Sequence, residues 1–126
     1  MAEDSAILHD PLETLKQKTP NMHRAVVSVV EELQAIDWYS QRVDAAQDPE
    51  LRAILQHNSD EEKEHASMLL EWIRRQDPVF EAHLRRYLFS SGSIVREEQR
   101  AEAAGANGNG GGSARASIGS LKEVRR

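Results

Sequence analysis

Glu62-Lys63-Glu64-His65 places one Glu-x-x-His step in the middle of a helix-patterned segment. Residues three apart share a helix face, so Glu62 and His65 can grip one cation from the same side. On the period of about 3.6 residues that an α-helix requires, their line reads Leu51, Leu55, Asn58, Glu62, His65, Leu69, Trp72. Two ionisable groups thus interrupt an apolar stripe. The preceding helical segment repeats the anomaly: Ala25, Val29, Glu32, Ile36, Tyr39, Val43 places Glu32 inside a second apolar stripe.

The boundaries of these segments are written in three proline steps. Thr19-Pro20, Asp48-Pro49 and Asp77-Pro78 each read as an N-cap followed by proline in the first turn. They predict one helix from Thr19 to about Ala46, a second to about Arg75, and a third, shorter one through about Phe89. A brief helical stretch over Leu12 to Lys18 follows an irregular N-terminus, residues 1–11. The first two helices are separated by only a few residues, which dictates an antiparallel hairpin. No β-alternation of useful length and no internal repeat occur. The expected fold class is all-α.

Composition narrows the chemistry. The chain has 126 residues, enough for one small domain, and its 5% aromatic content argues against a large self-contained core. It has no cysteine, which excludes disulfides, thiolate metal sites and cysteine nucleophiles. A metal site must then use carboxylate and imidazole, which suits iron, manganese or zinc. The net charge is −5 and unevenly placed: the end of the chain is net basic, with Arg115, Lys122, Arg125 and Arg126 against Glu123, and the body is acidic. The acidic body argues against nucleic acid as a partner and favours cations. Met1-Ala2-Glu3-Asp4 is not a secretory signal, and no stretch is long enough to span a bilayer, so a cytoplasmic location without membrane partners is expected.

An unpaired carboxylate inside an apolar stripe is strongly disfavoured, and a metal ion removes the penalty. The bland alternative is a solvated, salt-bridged face, the commoner fate of an isolated Glu-x-x-His step; Lys63 and Arg24 lie off the stripes. Two helices can neither enclose a two-metal site nor bury their own apolar faces. Pairing two hairpins would supply Glu32, Glu62 and His65 twice, a full ligand set of four carboxylates and two imidazoles on the symmetry axis. Tyr39 lies two turns from Glu32, either packing or supporting the site. On another face His57, Glu61 and Glu64 can converge on a surface cation or form a solvated acidic face. Glu31, Gln34 and Trp38 form a further group that could guide cations inward. His9, His23 and His83 are not at ligand spacing and receive no site.

After Ser90 the chain changes character. Residues 90–113 read as a linker, with a charged stretch from Ile94 to Ala104 able to become helical and a Gly/Asn-rich run from Gly105 to Ser113. In residues 114–126 an apolar island, Ile118-Gly119-Ser120-Leu121, interrupts a basic tail. Either the tail is a disordered basic end or the island is an anchor.

These residues, in this order, resemble the encapsulated ferritins. The similarity covers most of Pro11 to Phe89, through Glu31-Glu32, Asp37-Trp38-Tyr39, Asp48-Pro49-Glu50-Leu51, Asp60-Glu61-Glu62-Lys63-Glu64-His65 and Glu71-Trp72. Ser117 to Lys122 resembles the peptides that dock cargo inside encapsulin shells. The resemblance implies a hairpin domain, residues 12–89, that dimerises into a ferritin-like four-helix bundle and builds an annular decamer. It implies a ferroxidase that oxidises iron(II) with oxygen at an inter-subunit di-iron centre of Glu32, Glu62 and His65, with Tyr39 nearby. A metal-uptake site maps onto Glu31, Gln34 and Trp38. Gln34 stands where the family pattern has a glutamate, and an amide oxygen binds cations more weakly. His57, Glu61 and Glu64 match a peripheral metal site. Ile118, Gly119, Ser120 and Leu121 would dock to the encapsulin shell protein, whose lumen would store the iron. Two other readings stay open: a non-catalytic helical adaptor, and a zinc or manganese protein without oxygen chemistry.

Overall fold

The structure, a computed structural model, describes residues 7–106. The expected docking residues Ile118, Gly119, Ser120 and Leu121 lie outside them. The described residues are helical, with no strand among them. A single 3-10 turn, Leu12–Thr14, precedes α1 (Thr19–Ala45), α2 (Pro49–Gln76), α3 (Pro78–Tyr87) and α4 (Ile94–Ala106). Among the described residues no helix is long and apolar enough to cross a membrane.

The Asp-Pro steps act as read. Asp48 is extended, and its carboxylate accepts a hydrogen bond from the Leu51 N–H at 2.8 Å, while Pro49 supplies a preset φ where no N–H is needed. Asp77 Oδ1 accepts from the N–H groups of Val79 and Phe80, each at 3.0 Å. Thr19 behaves differently. It is already helical, and Lys18 holds the cap position without a side-chain cap. The Thr19 N–H donates to the Lys16 carbonyl at 3.0 Å, and the Met22 N–H, which a Thr19 cap would have taken, donates to the Lys18 carbonyl at 3.1 Å. The anticipated stretch from Leu12 to Lys18 shrinks to one turn because Leu15 is extended. α3 stops at Tyr87, and Phe89, with φ 62°, takes a left-handed conformation no α-helix can contain.

Among the described residues, those up to 84 and those from 85 onward fall into two compact units, and α3 crosses the boundary between them. The first is built on the packing of α1 against α2. Only Ala46 to Asp48 separate the helices, and Ala25 and Ser28 share a surface hollow with Leu69 and Trp72. Glu32 meets His65 further along, so the two helices run antiparallel. Among the described residues the buried ones are mostly small: Ala25, Ser59 and Ala66, joined by Ile73.

On α2 the buried positions, Ser59, Ala66 and Ile73, sit one residue beyond Asn58, His65 and Trp72 of the expected stripe. The stripe is therefore rotated off the seam. Leu55, Glu62, His65 and Leu69 are half-buried on its flank, whereas Leu51 and Trp72 are exposed. Periodicity identifies the apolar side of a helix but not which of two neighbouring lines meets α1. Val26, Leu33, Ile54 and Met68 also remain exposed; Leu33 keeps 54% of its surface in water. This hairpin has a seam, not a core.

An ion-pair network fastens α3 to α2. Arg74 donates from Nε and Nη2 to the two oxygens of Glu71, both at 2.7 Å, and from Nη1 to Glu81 Oε1 at 2.9 Å. Arg75 Nε donates to Glu71 Oε2 at 2.6 Å. In the second unit, Arg100 pairs with Glu97 along α4 at 3.3 Å, and the Ser93 hydroxyl accepts from the Arg96 N–H at 3.2 Å.

The hydrogen bonds from Arg74 and then Arg75 pull the Glu71 carboxyl down from 4.5 to about 2. A carboxyl depressed in the folded state stabilises the fold above its ordinary pKa, and that contribution is lost as pH falls through the folded value. The α2–α3 corner should hold at pH 5 and loosen as pH falls from about 4.5 towards about 2. Carboxyl NMR titration checks this: Glu71 should titrate far below the exposed glutamates, and Arg74→Ala should bring it back towards them.

Candidate metal centre

Glu32 enters from α1, and Glu62 and His65 from successive turns of α2. His65 Nδ1 lies 3.2 Å from Glu62 Oε2 and 3.8 Å from Glu32 Oε2. One ligand atom from each of the three falls within 4.8 Å of the others, and among the described residues no other trio of metal-ligating side chains does so. Glu32 and Glu62 are each 23% exposed at the side chain and His65 is 43% exposed. They stand at the flank of the α1–α2 seam, half-covered, with one side open.

Two carboxylates pressed together cannot both ionise freely. The hydrogen bond shared with Glu62 raises the Glu32 carboxyl above its ordinary value, and burial and the Glu62 charge push the same way. Glu62 is lowered, chiefly by that same bond. The two carboxyls are thus pushed apart, and of the pair Glu32 is the one that takes up a proton more readily. The His65 imidazole is raised, first by its hydrogen bond to Glu62 and then by the neighbouring carboxylates. A cation at the trio would relieve the same crowding of negative charge that raises Glu32 and His65. Two carboxylates and an imidazole are hard-to-borderline donors, a set that fits iron, manganese or zinc. Three side chains are only part of a coordination shell.

The other expected residues are placed as follows. Tyr39 is half-buried, with the Arg42 guanidinium 5.4 Å from its ring centroid. Glu31 and Trp38 are exposed and Gln34 is half-buried; the Glu31 charge adds to the upward push on Glu32. His57 Nε2 stands 3.6 Å from Glu61 Oε1, but the donor atoms of His57, Glu61 and Glu64 do not converge as those of the central trio do. Glu64 lines a separate surface hollow with Met68, Trp72 and Arg75. A hollow of about 150 Å³ at the open end of the hairpin, lined by Lys18, Met22, Trp72 and Gln76 among others, contains none of the ligands.

Sequence reading missed two contacts. Arg42 over Tyr39 is one. The other is Glu61, whose Oε2 lies 3.9 Å from His65 Nε2, on the face of the imidazole turned away from Glu62. The spacing of 57, 61 and 65 was the available signal: each step is one turn.

A family model described as EncFtn-like matches residues 7–91. The chain is 56% identical over 131 residues to a protein of Rhodospirillum rubrum named "Encapsulated ferritin-like protein", with 97% of this chain and 92% of that one covered. It is 45% identical over 104 residues to a "Ferritin-like protein" of Thermotoga maritima, covering 82% and 90%. A "cargo protein EncC" of an encapsulin nanocompartment in Myxococcus xanthus matches over 57 residues at 44% identity, 45% of this chain and 44% of that one. Among solved structures, protein ne0167 of Nitrosomonas europaea is similar with a TM-score of 0.67 at 56% identity, covering 69% of this chain and 96% of that one. With the trio, the hairpin that holds it and these relatives in view, the chain belongs to the EncFtn-like family.

Proposed function

We propose that this protein is a ferroxidase whose di-iron centre is completed by a second copy of the chain, and that it works as cargo of an encapsulin shell. The observation that carries the reading is the half-built centre: Glu32, Glu62 and His65 converge within 4.8 Å on the open flank of a hairpin whose apolar residues stay in water. A two-fold partner would cover Val26, Leu33, Ile54 and Met68 and would bring a second trio. The relatives' names support the iron and encapsulin parts of the reading.

Glu32 from α1 and Glu62 and His65 from α2, one trio from each copy, would hold the two metals. Iron bound there would supply the redox chemistry that reduces oxygen. The chain fixes the donors, and binding would compete with protons at Glu32 and His65, both of which are raised. Glu31, Gln34 and Trp38 are assigned to cation uptake and Tyr39 to support of the centre. Ile118 to Leu121 are assigned to shell docking, and an annular decamer is the proposed assembly. A zinc or manganese protein without oxygen chemistry is the second reading, because the donor set alone suits those metals equally.

Three measurements test this. Glu32→Ala should abolish two-metal binding and iron(II)-dependent oxygen consumption while the helical content is kept; undiminished iron oxidation by that variant would sink the assignment. Native mass spectrometry should find iron only in dimers and larger assemblies, in pairs per dimer, and an iron-oxidising monomer would refute a shared site. Removing residues 114–126 should end co-purification with the shell protein and leave iron oxidation unchanged; continued encapsulation would refute the docking role.

A further inference from the structure

The imidazole of the centre has two nitrogens with different company. His65 Nδ1 faces Glu62 and Glu32, at 3.2 and 3.8 Å, while Nε2 faces Glu61 Oε2 at 3.9 Å. A neutral imidazole that binds a metal through Nδ1 carries its proton on Nε2, and that N–H needs an acceptor. Metal-binding histidines almost always give this second N–H to a carboxylate or carbonyl, which fixes tautomer and ring orientation. Glu61 lies one turn before His65 on α2, so its carboxylate shares the Nε2 side of the ring. The gap of 3.9 Å is longer than a hydrogen bond. Both side chains are partly exposed, at 43% and 47%, so a small rotation of the Glu61 carboxylate has room to close it. On its outer side the other oxygen of Glu61, Oε1, lies 3.6 Å from His57 Nε2, also beyond hydrogen-bond length. One carboxylate thus lies between an exposed imidazole and the imidazole of the centre.

Resting on the reading of the trio as an iron centre, we propose that Glu61 is a positioning residue: its carboxylate accepts the Nε2 proton of His65 and thereby presents Nδ1 to the metal. Glu61 does not touch the metal. An acid that served only as solvated surface, or only as a ligand for an outer cation, would have no influence on which nitrogen of His65 coordinates.

Zinc(II) is the probe, added to the full chain and to Glu61→Ala and Glu61→Gln. Affinity is read by competition with a chromophoric chelator. Side-chain ¹⁵N NMR, assigned with a His65→Gln spectrum, reads the coordinating nitrogen. Glu61→Ala should weaken zinc binding about 10–100-fold and mix Nδ1 with Nε2 coordination, with circular dichroism unchanged. Glu61→Gln, whose amide oxygen can accept the same proton, should recover most of the affinity and restore Nδ1 coordination. Wild-type affinity with pure Nδ1 coordination in Glu61→Ala overturns the proposal. So does equal loss in both variants with Nδ1 retained, or Nε2 coordination in the unaltered protein. If the unaltered chain takes up neither zinc nor iron, the metal-centre reading itself falls; if it binds and Glu61→Ala matches it, only the positioning role does.

Discussion

Ser59, Ala66 and Ile73 recur at seven-residue spacing along α2, and with Ala25 of α1 they are the buried residues among those described. Small side chains let two helix backbones approach closely. That approach lets a carboxylate on α1 meet a carboxylate and an imidazole on α2. A bulkier seam would spread the helices and pull Glu32 away from His65. The same seam sets which residues are left over. Because α2 turns its small-residue line to α1, the line holding Glu62 and His65 lies on the flank, neither sealed nor free.

The electrostatics of the trio follow from that placement. Glu32 and Glu62 are brought together by backbone packing and not by mutual attraction, so the cost must be met locally. It shows in the groups themselves: the Glu32 carboxyl is raised, chiefly by its hydrogen bond to Glu62, and the His65 imidazole is raised, first by its own bond to Glu62. Metal ligands must be deprotonated, so a cation at this cluster would compete with protons. Glu61, on the far side of His65, adds a third acid to the same imidazole. The Glu71, Arg74, Arg75 and Glu81 network is of another kind: opposite charges are matched in place, and Glu71 is held ionised instead of being driven to bind anything.

Several features were legible in the order of residues. Asp48-Pro49 and Asp77-Pro78 gave helix starts because capping is local chemistry between a carboxylate and the next N–H groups. Thr19-Pro20 gave a start without the expected cap, because the helix begins one residue earlier: Lys18 holds the cap position and its carbonyl accepts the Met22 N–H. Glu32, Glu62 and His65 could be singled out because ionisable groups inside apolar stripes demand a reason. The one-residue rotation between that stripe and the seam was not legible, since adjacent lines on a helix carry nearly the same periodicity. Glu61 was read as part of an outer face with His57 and Glu64; only the geometry shows that it also faces His65. The stretch from Ile94 was read as a charged linker able to become helical, and it forms α4.

The exposed Val26, Leu33, Ile54, Met68 and Trp72 bear on a quantity that is not a property of the single chain. A fold that closes its apolar surface only against a partner obeys mass action, so its stability depends on how many copies share a given volume. If the partner is another copy, each tenfold dilution removes about 1.4 kcal/mol of the association free energy. Confinement acts in the opposite direction. Holding copies inside a small closed space would raise their local concentration, so the container would help hold the hairpins together as well as keep what they make.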